Sequence, residues 1–149
     1  MRVLAYDPYA TAEVYAQAGV EQCDLDELCR RSDVVSVHVP LTPETRHLLD
    51  ARRLALLPAD AIVINTARGG LVDDAAARVA LDEGRLFGVG VDVYETEPPS
   101  ESPLLGHPHV VATPHAGGHT RESVARMSDQ AVDNLIAVLR GAHVPDAAA

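Results

Sequence analysis

Short apolar runs separated by polar turns recur along the chain, and their lengths suit strands alternating with short helices. Residues 61–64, Ala-Ile-Val-Ile, are nearly continuous and β-branched, which predicts a parallel strand covered on both faces. Asn65 and Thr66 close that strand, Arg68 stands before Gly69-Gly70, and Asp73 can cap a helix running to Glu83 before Gly84. Upstream, residues 2–6 predict a strand ended by Asp7-Pro8, and residues 11–18 a helix with Gly19 at its C-cap. Residues 20–23 predict a brief strand, and Asp24 with Glu27 resembles a capping box opening a helix to Arg31. Residues 33–39 predict a further β-branched strand ending at Pro40.

Thr42-Pro43-Glu44 has the form of an N-cap followed by proline, predicting a short helix to Leu49, and Asp50 can cap a second one to about Leu57. Residues 86–93 predict the next strand, with Asp92 near its end, and residues 110–112 the last. From about Thr120 to Arg140 one long helix is expected, with Val124, Met127, Ala131, Leu135 and Val138 forming an apolar stripe before Gly141. Strands alternating with helices in this way define an α/β protein with a doubly wound parallel sheet. The 149 residues are expected to form one domain with its own core, residues 1–118, followed by the helix 119–141 and a frayed tail, 142–149.

Composition narrows the partners. A net charge of −10, from 22 acidic against 12 basic residues, with no basic cluster, disfavours a phosphate backbone, so no nucleic acid is expected. Aromatic residues make up 3% of the chain and tryptophan is missing, which leaves little for base stacking. No apolar run is long enough to span a bilayer and no signal peptide is evident, so no membrane partner and a cytoplasmic location are expected. Cys23 and Cys29 do not form a CxxC pair and are expected to be reduced and structural.

In a parallel sheet the carboxyl ends of the strands share one edge, where open α/β sheets bind ligands. Asp7, Arg68, Asp92 and His115 follow or end strands, with Glu97 in the loop after Asp92. Arginine offers a planar fork to a carboxylate, and histidine exchanges protons near neutral pH, the more readily beside a carboxylate. Together they suit binding a 2-keto or 2-hydroxy acid and moving a proton at its oxygen, with the hydride carried by another group. Taken singly, Asp7 also suits a turn before proline, Asp92 a buried partner of a helix terminus, and Glu97 a solvated loop. His107, His109, His115 and His119 match neither a zincin helix nor a paired-ligand knuckle, so no metal is expected. Gly88-Val-Gly90 lies inside a predicted strand and lacks the third glycine of a dinucleotide fingerprint.

Four spaced motifs, residues 33–40 (DVVSVHVP), 64–70 (INTARGG), 90–98 (GVDVYETEP) and 113–118 (TPHAGG), resemble the NAD-binding domain of the D-isomer-specific 2-hydroxyacid dehydrogenases, phosphoglycerate dehydrogenase-like members included. The resemblance covers essentially the whole chain. It implies NAD as cofactor and hydride transfer with a small 2-hydroxy or 2-keto acid, whose identity the sequence leaves open. It further implies Arg68 on the substrate carboxylate, His115 as proton donor and acceptor, and Glu97 as its partner. Asp92 would face the nicotinamide carboxamide and Asp7 the adenosine ribose hydroxyls, favouring NAD over NADP. Val39, Pro40, Thr66 and Ala67 would line the cleft, with Gly117 allowing close approach, and a homodimer would be usual.

In that family a GxGxxG turn follows a first strand, and residue 1 here corresponds to a position just before the second strand. The expectation is therefore a Rossmann-like sheet without that strand and turn. The strands at Val3 and Val34 would then close on each other or be covered by an oligomer, and the last helix would pack on a substrate domain. Two classes follow for these residues: an NAD-dependent dehydrogenase, or a truncated, non-catalytic remnant or association module with weak or no NAD binding. For the activity of the 149 residues alone, the second is favoured.

Overall fold

A computed structural model describes residues 1–144, and the end of the expected tail, residues 145–149, lies outside the described residues. The chain divides into two compact units, Met1–Pro114 and His115–Ala149. The first holds two parallel sheets. In one, β1 (Leu4–Ala5) pairs with β2 (Glu21–Gln22). In the other, β3 (Val34–Val37), β4 (Ala61–Asn65), β5 (Leu86–Val91) and β6 (Val110–Ala112) lie side by side in that order.

Local chemistry sets the helices. α1 (Ala12–Ala18) follows Thr11 and ends at Gly19, whose φ of 66° is the left-handed C-cap that glycine takes without strain. α2 (Leu25–Arg31), α3 (Ala51–Leu54) and α4 (Asp74–Asp82) each begin after an aspartate whose carboxylate accepts an amide proton of the first turn: Asp24 from Glu27, Asp50 from Arg53 and Asp73 from Ala76. The core lies under one face of the larger sheet, where Val35, Val37, Ala61, Val63 and Val89 meet Leu49, Leu54, Leu71, Ala77 and Leu81.

Three expectations are corrected. The strands of Val3 and Val34 are not adjacent: β1 pairs with β2 and β3 with β4. α2 is tied to β2 on one side and to α3 on the other: Arg31 Nη2 reaches Glu21 Oε1 on β2 at 2.7 Å, and Asp26 takes Arg52 and Arg53 of α3 at 2.6 and 3.2 Å. With α2 between them in the chain, β1–β2 and β3–β6 form separate ladders. β4 is covered on one face only, with Ala61, Val63 and Asn65 buried and Ile62 and Ile64 half-buried.

The helix expected over 43–49 is instead a run of turns. His47 N donates to Gly70 O at 2.7 Å and Leu49 N to Leu71 O at 3.1 Å, and Leu49 forms a parallel bridge with Val72. Thr42 still caps the first turn, its Oγ1 accepting from Thr45 N at 3.3 Å, and that extended pairing, with His47 at a φ of 49°, stops a helix from continuing.

In the second unit α5 (Arg121–Leu139) starts after Thr120, whose hydroxyl accepts from Ser123 N, and none of its residues is buried. Val124, Met127, Leu135 and Val138 are all exposed. Residues 142–144 follow without regular structure, and Val144 is buried. No helix among the described residues is long and apolar enough to cross a membrane.

Candidate active site

The turn after β4 is braced from within. Asn65, 2% exposed, donates from Nδ2 to Arg68 O at 2.9 Å and accepts from Ala67 N on Oδ1 at 3.2 Å. A side-chain amide with a donor on one side and an acceptor on the other fixes both ends of the turn. The Arg68 guanidinium is exposed, and its Nη1 donates to Ala67 O at 2.6 Å. Gly70, at a φ of 81°, then lets the chain reverse toward α4.

The end of β5 lies beside this turn. Asp92 is buried, its amide donates to Asn65 O at 3.0 Å, and Thr113 Oγ1 donates to its Oδ1 at 2.5 Å. Tyr94 hooks its hydroxyl on Thr113 O at 2.8 Å, and its amide donates to Glu97 Oε1 at 3.3 Å. Burial pushes the Tyr94 phenol up, with the charges of Asp92, Asp74 and Glu97 adding to the effect. Glu95 accepts from Arg46 Nη2 at 2.9 Å and faces His47 Nε2 at 3.0 Å, joining the loop of Glu97 to the turns before α3. Below them Asp74 is raised to about 6, first by burial and then by the charges of Glu95 and Asp73.

Asp7, just beyond β1, lies on the rim of a cavity of about 440 Å³, shared with Tyr6, Pro8, Ala10, Gln22, Cys23 and Asp24. Its Oδ1 accepts from Tyr9 N at 2.8 Å, and its Oδ2 accepts no hydrogen bond among the described residues. Val39, half-buried, and Pro40, exposed, follow β3, and Pro40 O accepts from Thr45 Oγ1 at 2.7 Å. Thr66 is exposed and Ala67 half-buried on the Arg68 turn. Thr66, Asp92 and Thr113 also border a larger cavity of about 570 Å³ over the open face of β4, β5 and β6, floored by Ile62, Ile64 and Val111.

The first unit thus gathers Asp7, Val39, Pro40, Thr66, Ala67, Arg68, Asp92 and Glu97 at carboxyl ends of strands or in the loops that follow them, while His115 and Gly117 belong to the second unit. His115 is exposed and has a φ of 53°, a left-handed conformation that histidine tolerates better than most side chains. His119 N donates to Ala116 O at 2.9 Å, closing the turn that holds Gly117. Two of the other histidines singled out by spacing have structural partners: His107 Nε2 lies 3.5 Å from Asp82, and His109 Nδ1 meets Phe87 O at 2.7 Å. Among the described residues no group of three or more metal-ligating side chains converges. Cys23 and Cys29 are free thiols, both pushed up by burial.

Sequence reasoning missed three side chains here: Asn65 as the brace of the Arg68 turn, Glu95 as the tie to Arg46 and His47, and Tyr15, whose hydroxyl meets Asp7. An asparagine two residues before an amide it can accept from is a recognisable Asx turn, so Asn65 carried a local signal. Glu95 and Tyr15 depend on partners 48 or 49 and 8 residues away and carried none.

Parallel strands alternating with helices, with polar side chains gathered at the strands' carboxyl ends, place the first unit in the α/β, Rossmann-like class, which binds ligands at that edge. A family model, D-isomer specific 2-hydroxyacid dehydrogenase, NAD binding domain, matches residues 1–117, and the chain belongs to that family. D-3-phosphoglycerate dehydrogenase of Methanocaldococcus jannaschii is 43% identical over 142 residues, covering 95% of this chain and 27% of that protein. Glyoxylate reductase of Korarchaeum cryptofilum is 42% identical over 147 residues, covering 98% of this chain and 44% of its own length. The crystal structure of D-lactate dehydrogenase with NAD+ from Lactobacillus jensenii superimposes with a TM-score of 0.89 at 29% identity, covering 99% of this chain and 48% of that one. The chain therefore spans about a quarter to a half of the length of these relatives.

NAD is the cofactor of the family's domain. The residues at the end of β1 fit it: the Oδ2 of Asp7, on the rim of a cavity, offers an anionic acceptor to a sugar hydroxyl.

Proposed function

We propose that these residues are the dinucleotide-binding part of an NAD-dependent D-2-hydroxyacid dehydrogenase acting in the cytoplasm. The observation that carries this reading is the exposed Arg68 guanidinium on a turn braced by Asn65, beside buried Asp92 at the next strand end. Asp7 accepts hydrogen bonds from the adenosine ribose, and a 2′-phosphate there meets a like charge. Val39, Pro40, Thr66 and Ala67 line the path of the dinucleotide, Asp92 faces the carboxamide, and Gly117 leaves room for close approach. NAD, when bound, supplies the hydride acceptor.

Arg68 holds the carboxylate of a small 2-hydroxy or 2-keto acid through paired N–H donors. His115 takes the hydroxyl proton during oxidation and returns it during reduction, and Glu97 stabilises its charged form. The relatives named above, a phosphoglycerate dehydrogenase, a glyoxylate reductase and a lactate dehydrogenase, bracket the substrate class. Two copies of the chain pair as a homodimer in this reading.

The test is calorimetric titration of the chain with NADH, using Asp7→Ala as control. Micromolar binding that the substitution abolishes supports the reading. A chain that is folded by circular dichroism and takes up no NADH at millimolar concentration overturns it. That outcome favours a non-catalytic association module, a reading for which the edges of β1 and β3, unpaired by any described strand, speak independently.

A further inference from the structure

We propose that Tyr15 is a positioning residue for the nucleotide site, acting through Asp7; this rests on the reading above that Asp7 receives the adenosine ribose. Tyr15 is the buried residue of α1, 5% exposed. Its hydroxyl accepts from Asp7 N at 2.7 Å and donates to Asp7 O at 3.0 Å, so one phenol satisfies both main-chain groups of one residue.

The place of that contact gives it meaning. Val3, Ala5 and Asp7 are alternate residues, whose main-chain groups face the same side of a strand. Glu21 N donates to Val3 O at 3.1 Å and Cys23 N to Ala5 O at 3.2 Å. At the next step the chain of β2 has turned into Asp24 and α2, and the Tyr15 hydroxyl supplies the rung that β2 no longer can. Phenylalanine would fill the same space and leave an amide and a carbonyl without that partner.

Asp7 is then held at three points: its amide and carbonyl by Tyr15, and its Oδ1 by Tyr9 N. Oδ2 remains for a ligand on the rim of the 440 Å³ cavity. A side chain held at its backbone and at one oxygen presents the other in one direction, so less order is lost when a sugar hydroxyl binds. Tyr15 thereby tunes recognition of the ribose without touching it.

The experiment compares the wild-type chain, Tyr15→Phe and Asp7→Ala by calorimetry with NADH and with its analogue lacking the adenosine 2′-hydroxyl. Tyr15→Phe is expected to weaken NADH about 3- to 10-fold, the worth of one hydrogen bond, and to leave the deoxy analogue within about 2-fold. Equal weakening of both ligands indicates a general effect on the fold and overturns the proposal. Unchanged NADH affinity in Tyr15→Phe, with loss in Asp7→Ala, overturns the role of Tyr15 and keeps that of Asp7. Unchanged affinity in Asp7→Ala, or no NADH binding by wild type, overturns the underlying reading and the proposal with it. Should Tyr15→Phe fail to fold, amide exchange in the wild-type chain decides: protection of the Asp7 amide supports the proposal, and exchange at the rate of an unstructured peptide overturns it.

Discussion

Gly69 sets its bare Cα against the carbonyl of Tyr94: a Cβ at position 69 would lie 1.9 Å from that oxygen and 2.5 Å from Glu95 N. The neighbour is backbone, so it has no rotamer with which to yield. This contact presses the Arg68 turn onto the loop that carries Glu97, and it explains why the residue after the arginine is glycine. Gly69→Ala must part the two segments. We expect a loss of about 1–3 kcal/mol or somewhat more in urea-unfolding free energy, the range of overpacking against an unyielding neighbour. An unchanged urea midpoint would show that the turn relaxes freely and that the clamp is not rigid.

Asn65 offers a sharper probe, because its two polar atoms have opposite duties. Asn65→Asp keeps the acceptor for Ala67 N and replaces the donor to Arg68 O with an oxygen facing an oxygen. At 2% exposure the new charge also has little water around it. The variant should lose about 2–3 kcal/mol at pH 7 and recover part of that on acidification, as protonation restores a donor. Stability at pH 7 and pH 4.5 by urea titration checks it, and a loss independent of pH would assign Asn65 a packing role only.

Features closed within one turn of chain were legible in the sequence. Asp24, Asp50 and Asp73 stand where N-cap chemistry put them, and Gly19 ends α1 as a left-handed cap. Arg68 was legible too, as a cation after a β-branched strand and before two glycines. What failed depends on partners distant in sequence. Thr42 had the form of an N-cap, yet pairing of His47 and Leu49 with Gly70 and Leu71 drew the chain out of a helix. The separation of β1 from β3 was not legible, and neither was the link of α2 to α3 that Asp26 makes with Arg52 and Arg53 across 26 and 27 residues, because no local pattern encodes pairings at that range. Tyr15 gave no signal because an apolar-faced helix reads the same with phenylalanine.

The Asp26 contact has its own pH signature. Arg52 and Arg53 hold its carboxyl at about 2, below the ordinary value near 3.8. A depressed carboxyl contributes stability that is complete above the unfolded value and is lost as pH falls through the folded one. Asp26→Asn should therefore unfold at a lower temperature than wild type at pH 6, with the gap closing between about pH 4 and pH 2. Melting curves across that interval test the assignment. A gap that persists at pH 2 would mean that the two arginines matter to α2 and α3 through packing instead of charge.

Asp74 titrates in the opposite sense. Burial, with Glu95 and Asp73 nearby, raises it to about 6, while Ser102 and His47 pull weakly the other way. Between about pH 4 and pH 6 the folded chain holds a proton that the unfolded chain has released, so this group lowers stability as pH rises through that window. A carboxyl moved from its ordinary value near 3.8 to about 6 costs at most roughly 3 kcal/mol at neutral pH. Asp74→Asn keeps the shape and an acceptor for Ser102 while removing the charge. It should gain stability over wild type at pH 7.5, by about 1–2 kcal/mol after partial relaxation, and show little difference at pH 4. Urea titrations at both values decide. A variant less stable than wild type at pH 7.5 would mean that the ionised carboxylate is held by His47 and the start of α4 more strongly than burial and its acidic neighbours oppose it.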